Sequence, residues 1–229
     1  KKFWTNIMNK EIIQRLLSSI VIIPIALFFI IKGSFYFNYF LTACFFISLY
    51  EWYILSKEKK YLFAGTFFLI ISFISVYLLR SGNDQSNTVF FCVLIISIST
   101  DLGGYIFGKI FKGPKLTKIS PNKTYAGMFG SFILSFILAI IYFDNLALFS
   151  LTEFNEKMGV QIMAIVFSIS FISQVGDLII SFFKRKSKLK NTGKIIPGHG
   201  GLLDRIDGMI FAFPISYLMI MFNFFEIVK

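Results

Sequence analysis

Apolar residues in this chain run in blocks of about 17 to 25, the length a helix needs to cross a hydrocarbon layer of about 30 Å. No other feature restricts the fold as much. Lipid offers no partner to an open backbone, so the blocks are expected to be helices; strands buried in a sheet would be shorter. With 56% hydrophobic and 15% charged residues and 31 Phe, a soluble domain of this size would expose aggregating surface. The expected architecture is all-α: a polytopic transmembrane helical bundle forming one domain over residues 1–229.

Seven spans are expected, at residues 16–31, 35–55, 62–79, 89–108, 127–143, 159–183 and 207–227. Only Lys32, Gly33 and Ser34 separate the first two, so a re-entrant hairpin is the alternative there. Counted before, between and after these spans, Lys plus Arg number 4, 1, 3, 1, 5, 1, 7 and 1. Positive charge marks the cytoplasmic side, so the N-terminus is expected in the cytoplasm with 19 of the 23 basic residues. A net charge of +11 distributed in this way sets topology and excludes a nucleic-acid partner. Cys44 and Cys92 each lie inside an apolar block, which suggests packing and neither a disulfide framework nor a zinc site. No cleavable signal peptide is expected, since residues 1–15 lead directly into a first span.

Two carboxylates interrupt the apolar blocks. Asp101 and Asp177 each cost a few kcal/mol in a span, so they are functional candidates, with a hydrogen-bonded packing aspartate as the alternative. Both fall toward the expected cytoplasmic ends of their spans, where Asp204 and Asp207 open the seventh; four carboxylates from three helices are expected on one face. Ser173, Asp177, Ser181 and Lys184 follow one another at steps of four, four and three, one polar stripe along a helix. Gly104 and Gly108 make a small-xxx-small pair that lets a neighbouring helix approach closely. The loop after that span contains Ser120, Lys123 and Thr124 in a compact SPNKT run, a combination suited to phosphate oxygens, although a lysine-rich turn is more often a solvated loop.

Residues 181–207 hold seven basic residues, the only histidine (His199) and glycines at 198, 200 and 201. Such glycines let a backbone approach a ligand, and the helix that follows offers N–H groups, in outline an anion cradle. His199 would bond a phosphate or cap the turn. Asp204 and Asp207, three apart, can present carboxylates to a hard divalent cation or serve as ordinary first-turn acids.

These residues carry a resemblance. Ser181-Phe-Phe-Lys184-Arg185, Lys190 and Pro197-Gly-His199-Gly-Gly201-Leu-Leu-Asp204-Arg205-Ile-Asp207 resemble the signature of the CDP-diacylglycerol synthases (phosphatidate cytidylyltransferases). The resemblance extends to Asp101, Gly104-Tyr105, Gly108-Lys109, Ser120 to Thr124 and Gly176-Asp177, so residues 89–229 are expected to be catalytic and 1–88 motif-poor. It implies transfer of the cytidylyl group of CTP to phosphatidic acid with release of pyrophosphate. It also implies Mg²⁺, leaving open a monovalent cation such as K⁺, together with a homodimer in the inner membrane and a cytoplasmic site. By the same resemblance, Asp177, Asp204, Asp207, Ser181, Lys184 and Arg205 are catalytic. Lys123, Arg185, Lys190, Asn191, His199, Gly200 and Gly201 bind substrate, and Asp177, Asp204, Asp207 and Asp101 ligate metal. The chain departs from the family pattern at Asn191, where an aspartate is usual, and at Ala126, where an acidic or amide residue is common. A CTP-dependent lipid-alcohol kinase is the alternative enzyme. A transporter would place carboxylates near the midplane in broken or repeated helices, and no internal repeat is present.

Overall fold

A computed structural model of the chain describes residues 2–57, 59–150, 156–198 and 200–224; of these, the side chains of 2–13, 15, 16, 19, 145–150 and 156–158 are left aside. The helices are α1 (Lys2–Lys32), α2 (Ser34–Ser56), α3 (Leu62–Ser81), α4 (Asp84–Phe111), α5 (Tyr125–Ser150), α6 (Glu156–Lys186), α7 (Leu203–Ile206) and α8 (Met209–Met221). Among the described residues there is no strand, only isolated bridges pairing Lys115 with Thr124 and Ile196 with Gly200. The all-helical expectation therefore holds.

Among the described residues, five helical stretches are long and apolar enough to cross a membrane: Ser34–Ser56, Leu62–Ser81, Asp84–Phe111, Tyr125–Asp144 and Gly159–Lys186. They coincide with the second to sixth expected spans. The remaining two fall on the shorter apolar stretches Ile20–Lys32 and Met209–Met221. Phe63, Phe67, Phe129 and Phe171 are exposed along the long helices, a surface that only lipid would solvate well. The chain is an integral membrane protein.

The chain divides into two compact units, each built from two stretches of sequence: residues 1–73 with 183–206, and residues 74–182 with 207–229. In the first unit α1 ends at Gly33, whose φ of 62° few other residues adopt easily. Phe29 stacks on Phe40 with ring centroids 5.3 Å apart. A continuous helix would separate those residues by about 16 Å, so the chain folds back at Gly33. The end of α2 is held by Trp52, which is buried, donates its indole N–H to the Leu62 carbonyl at 3.1 Å and meets Phe183 edge-on at 5.2 Å. Gly65 leaves room for that indole.

The second unit is packed through glycines and hydroxyls, the small groups that bring membrane helices together. Asn83 caps α4 by accepting the Ser86 N–H at 2.9 Å, and the helix stops where Lys112 and Gly113 turn to positive φ. The Thr124 hydroxyl accepts the Gly127 N–H at 3.1 Å and so caps α5. Gly103, Gly104 and Gly108 of α4 face Gly127, Gly130 and Ser131 of α5, as the small-residue spacing implied. A Cβ at Gly127 would stand 2.7 Å from the Gly104 carbonyl oxygen. Ser131 donates to the Thr100 carbonyl at 2.6 Å, and the hydroxyls of Thr100 and Ser170 join α4 to α6 at 2.8 Å. Gly127→Leu is therefore expected to destabilise the chain by roughly 1–3 kcal/mol, seen as a lower melting temperature in detergent.

Candidate active site

The signature residues fall into two sets, one in each unit. In the first unit the last turn of α6 carries Lys184, whose ammonium bonds Asp204 Oδ1 at 2.7 Å; the side chains are only 11% and 7% exposed. The other oxygen, Oδ2, accepts the N–H groups of Thr192 at 2.8 Å and Gly201 at 3.1 Å. Asp204 thus holds the end of α6 and both flanks of the 187–203 segment together. Ile196 and Gly200 exchange backbone hydrogen bonds of 2.9 and 3.1 Å, closing the turn at Pro197-Gly198. Gly198 and Gly200 take φ of 75° and 91°, a region open to glycine; a Cβ on Gly200 would lie 2.9 Å from Asp204 Oδ2 and 3.1 Å from Asn191 Cγ. Asn191 therefore lies directly against the glycine turn. His199 lies outside the described residues.

The expected anion cradle is differently occupied. The N–H of Gly201 is taken by Asp204, and those of Leu202 and Leu203 by Glu51, at 2.9 and 2.8 Å. These amides serve carboxylates of the chain itself and are not open to a ligand phosphate. Arg185, Lys190 and Arg205 are exposed; Arg185 donates to the Leu189 carbonyl at 3.3 Å.

Glu51 escaped the sequence reading. It lies in α2, inside the motif-poor stretch 1–88, and is completely buried. The signal was available, since an acidic residue within an apolar span is a functional candidate by the same rule that singled out Asp101 and Asp177. Its partners are more than 140 residues away along the chain, and no spacing rule could pair them.

In the second unit Lys123, from the SPNKT loop, forms an ion pair with Asp177 Oδ2 at 2.5 Å. Ser181, one turn further along α6, donates to Asp177 Oδ1 at 3.3 Å. The loop is pinned by hydrogen bonds from Leu116 N–H to the Lys123 carbonyl at 2.8 Å and from Lys123 N–H to the Ser120 carbonyl at 3.0 Å. Asp207 is buried, with Oδ1 accepting the Gly208 N–H at 2.9 Å. Its backbone adjoins α6: a Cβ on Gly176 would come within 3.0 Å of the Asp207 carbonyl oxygen. Asp101 is exposed on α4, while Gly103 beside it is buried against α5. Among the described residues no three Asp, Glu, His or Cys side chains gather closely enough to cage an ion.

Fold and site together define a helical integral membrane protein in which Asp177 is paired with Lys123 of the SPNKT loop and Asp204 with Lys184 of α6. The chain belongs to the cytidylyltransferase family, whose sequence model matches residues 61–223. It is similar to proteins named phosphatidate cytidylyltransferase. One from Rickettsia bellii is 34% identical over 90% of this chain and 89% of its own length. Another, from Rickettsia conorii, is 34% identical over 92% of both. One from Brucella suis is 36% identical over 68% of this chain, which spans 55% of that relative's length.

Removing one partner of a buried ion pair leaves a charge without compensation. Lys184→Met is accordingly expected to cost about 3–5 kcal/mol and to open the 187–203 segment to protease, while Lys184→Met with Asp204→Leu recovers part of the thermal stability.

Proposed function

We propose that the chain transfers the cytidylyl group of CTP to phosphatidic acid, producing CDP-diacylglycerol and pyrophosphate. A phosphatidate oxygen attacks the α-phosphorus of CTP; the new P–O bond forms as the bond to the β-phosphate bridging oxygen breaks, and pyrophosphate leaves. The observation that carries this reading is the match, over nine-tenths of both chains, to relatives named for that activity. The geometry supports it: the signature lysines Lys123 and Lys184 are fixed in place by carboxylates, and an ammonium is a strong donor to phosphate oxygens.

The nucleophile is already ionised, so the work of the protein is neutralisation and alignment. Lys123, Lys184, Arg185, Lys190 and Arg205 supply positive charge to the phosphates of the two substrates, and His199 assists them. Gly200 and Gly201 keep the backbone close-packed beside Asn191 and Asp204. Ser181 orients Asp177 by hydrogen bonding. Mg²⁺ is the cofactor in this reading, with a monovalent cation such as K⁺ as a second ion. Hard carboxylate oxygen is offered in each unit, by Asp204 in the first and by Asp177, then Asp207 and Asp101, in the second. Mg²⁺ held by one or two carboxylates and by substrate phosphates needs no three-acid cage, so the carboxylates present fit it. When bound, it would stabilise negative charge on the leaving pyrophosphate.

Residues 1–229 act as one catalytic domain with seven crossings, the N-terminus and the site facing the cytoplasm of the inner membrane, and the chain works as a homodimer. The alternation of basic segments supports that orientation.

Incubation with phosphatidic acid and CTP labelled at the α-phosphate is expected to place the label in lipid in a Mg²⁺-dependent manner. Label entering lipid from the γ-phosphate instead would identify a kinase. Asp177→Asn is expected to lower kcat/KM by roughly 100-fold or more with the folded protein retained; near-normal activity would remove Asp177 from the machinery.

A further inference from the structure

Glu51 is a completely buried acidic side chain outside the signature. Its Oε1 accepts the Leu202 N–H at 2.9 Å, and its Oε2 accepts the Thr192 hydroxyl and the Leu203 N–H, each at 2.8 Å. Thr192 is fully engaged with two carboxylates: its hydroxyl goes to Glu51 and its N–H to Asp204. Between them, Glu51 and Asp204 take the three consecutive N–H groups of residues 201–203. The segment is shaped around the Glu51 carboxylate. A Cβ on Gly193 would stand 2.6 Å from Oε1, and one on Gly201 would stand 2.7 Å from Glu51 Cδ.

The platform beneath Glu51 is stiff. Next to it, Trp52 is wedged among Tyr61, Gly65 and Phe183. One turn on, the Leu55 carbonyl accepts the Ser187 hydroxyl at 2.5 Å, and Tyr61 stacks at a tilt on Phe183. The 187–203 segment is thus fastened to α2 at its beginning through Ser187 and at its end through Glu51.

We propose that Glu51 is a positioning residue for the cytidylyl transfer: through Thr192 and the amides of residues 202 and 203, it sets the orientation of Asp204 and of the Lys184 ammonium bound to it. The proposal rests on the function proposed above. Glu51 meets no reacting atom itself. A carboxylate suits this place because all three of its neighbours are donors, and an amide would turn an NH₂ group toward at least one of them.

The test uses the full chain in detergent, with Glu51→Gln, Thr192→Val and the conservative Thr192→Ser. Hydrogen exchange at the amides of 192 and 201–203 is measured beside kcat and KM per folded molecule. Glu51→Gln is expected to speed exchange at these amides about tenfold or more and to lower kcat by roughly 10- to 100-fold with little change in the KM for CTP. Thr192→Val should give a smaller loss of the same kind, Thr192→Ser should restore the parent values, and the Glu51→Gln/Thr192→Val double variant should fall short of the product of the two effects. Unchanged exchange at 201–203 in Glu51→Gln, or activity that declines only with the amount of folded protein, overturns the proposal. Should Glu51→Gln fail to fold, Thr192→Val decides: faster exchange with reduced kcat supports the clamp, and parent-like values overturn it. A parent chain that puts no α-label into lipid defeats the proposed function and with it the catalytic role of Glu51; the exchange data separate that outcome from failure of the clamp.

Discussion

The shared grip of Glu51 and Asp204 on residues 192 and 201–203 is the interaction on which the shape of the signature segment depends. A turn containing Gly193, Gly198, Gly200 and Gly201 has little side-chain packing of its own and loses more conformational freedom on ordering than other sequences do. Hydrogen bonds to charged groups are the stronger kind, and here six donors converge on two carboxylates. A Cβ on Gly193, Gly200 or Gly201 would collide with that arrangement, so glycine composition and acid placement are one design. The Lys184 ammonium is held as a consequence, because its partner Asp204 cannot turn away without releasing two amides.

The second unit solves a related problem with weaker groups. Its buried polar atoms are mostly hydroxyls, and those of Thr100, Ser131 and Ser170 satisfy one another or a carbonyl across helices. Serines such as Ser168 and Ser216 bond back to the carbonyl four residues earlier and so expose no free donor to lipid. Close contact between α4 and α5 at the glycines places Thr124, the last residue of the SPNKT loop, against Gly108. Lys123 next to it is thereby directed to Asp177 from a capped helix start, a more rigid origin than a free lysine-rich loop provides.

Much of this was legible in the residues. Apolar block length located the five long helices, and the break at Gly33 followed from three non-apolar residues between two blocks. The four-residue spacing of Asp177 and Ser181 named a real hydrogen bond, and Gly104 with Gly108 named a real helix contact. Glu51 was not legible in this way. Periodicity and motif spacing report on neighbours within a few turns, whereas Glu51 meets its partners through the tertiary fold. The destination of the 201–203 amides was equally hidden: glycines ahead of a helix suggest an open anion site, and only the fold reveals an acid already there. The end spans were indistinct for another reason: the apolar stretch before Gly33 is short, Ile20–Lys32, and α8 begins only after the short α7 and ends at Met221.

Within the proposed reaction, the pairing of acid with lysine answers a specific difficulty. CTP and phosphatidate each carry several negative charges, which bare carboxylates would repel. In each unit an ammonium beside the acid, Lys123 on Asp177 in one and Lys184 on Asp204 in the other, offsets that charge while leaving the acid in a defined orientation. Lysine donates in three directions, so an ammonium anchored by one carboxylate retains donors for a phosphate oxygen. A hydrophobic pair of equal volume could be as stable as Lys184 with Asp204, since buried ion pairs return little net stability. Stability alone therefore does not account for a pair so nearly closed to solvent, and its place among the signature residues is better explained by the charge it holds ready for phosphate.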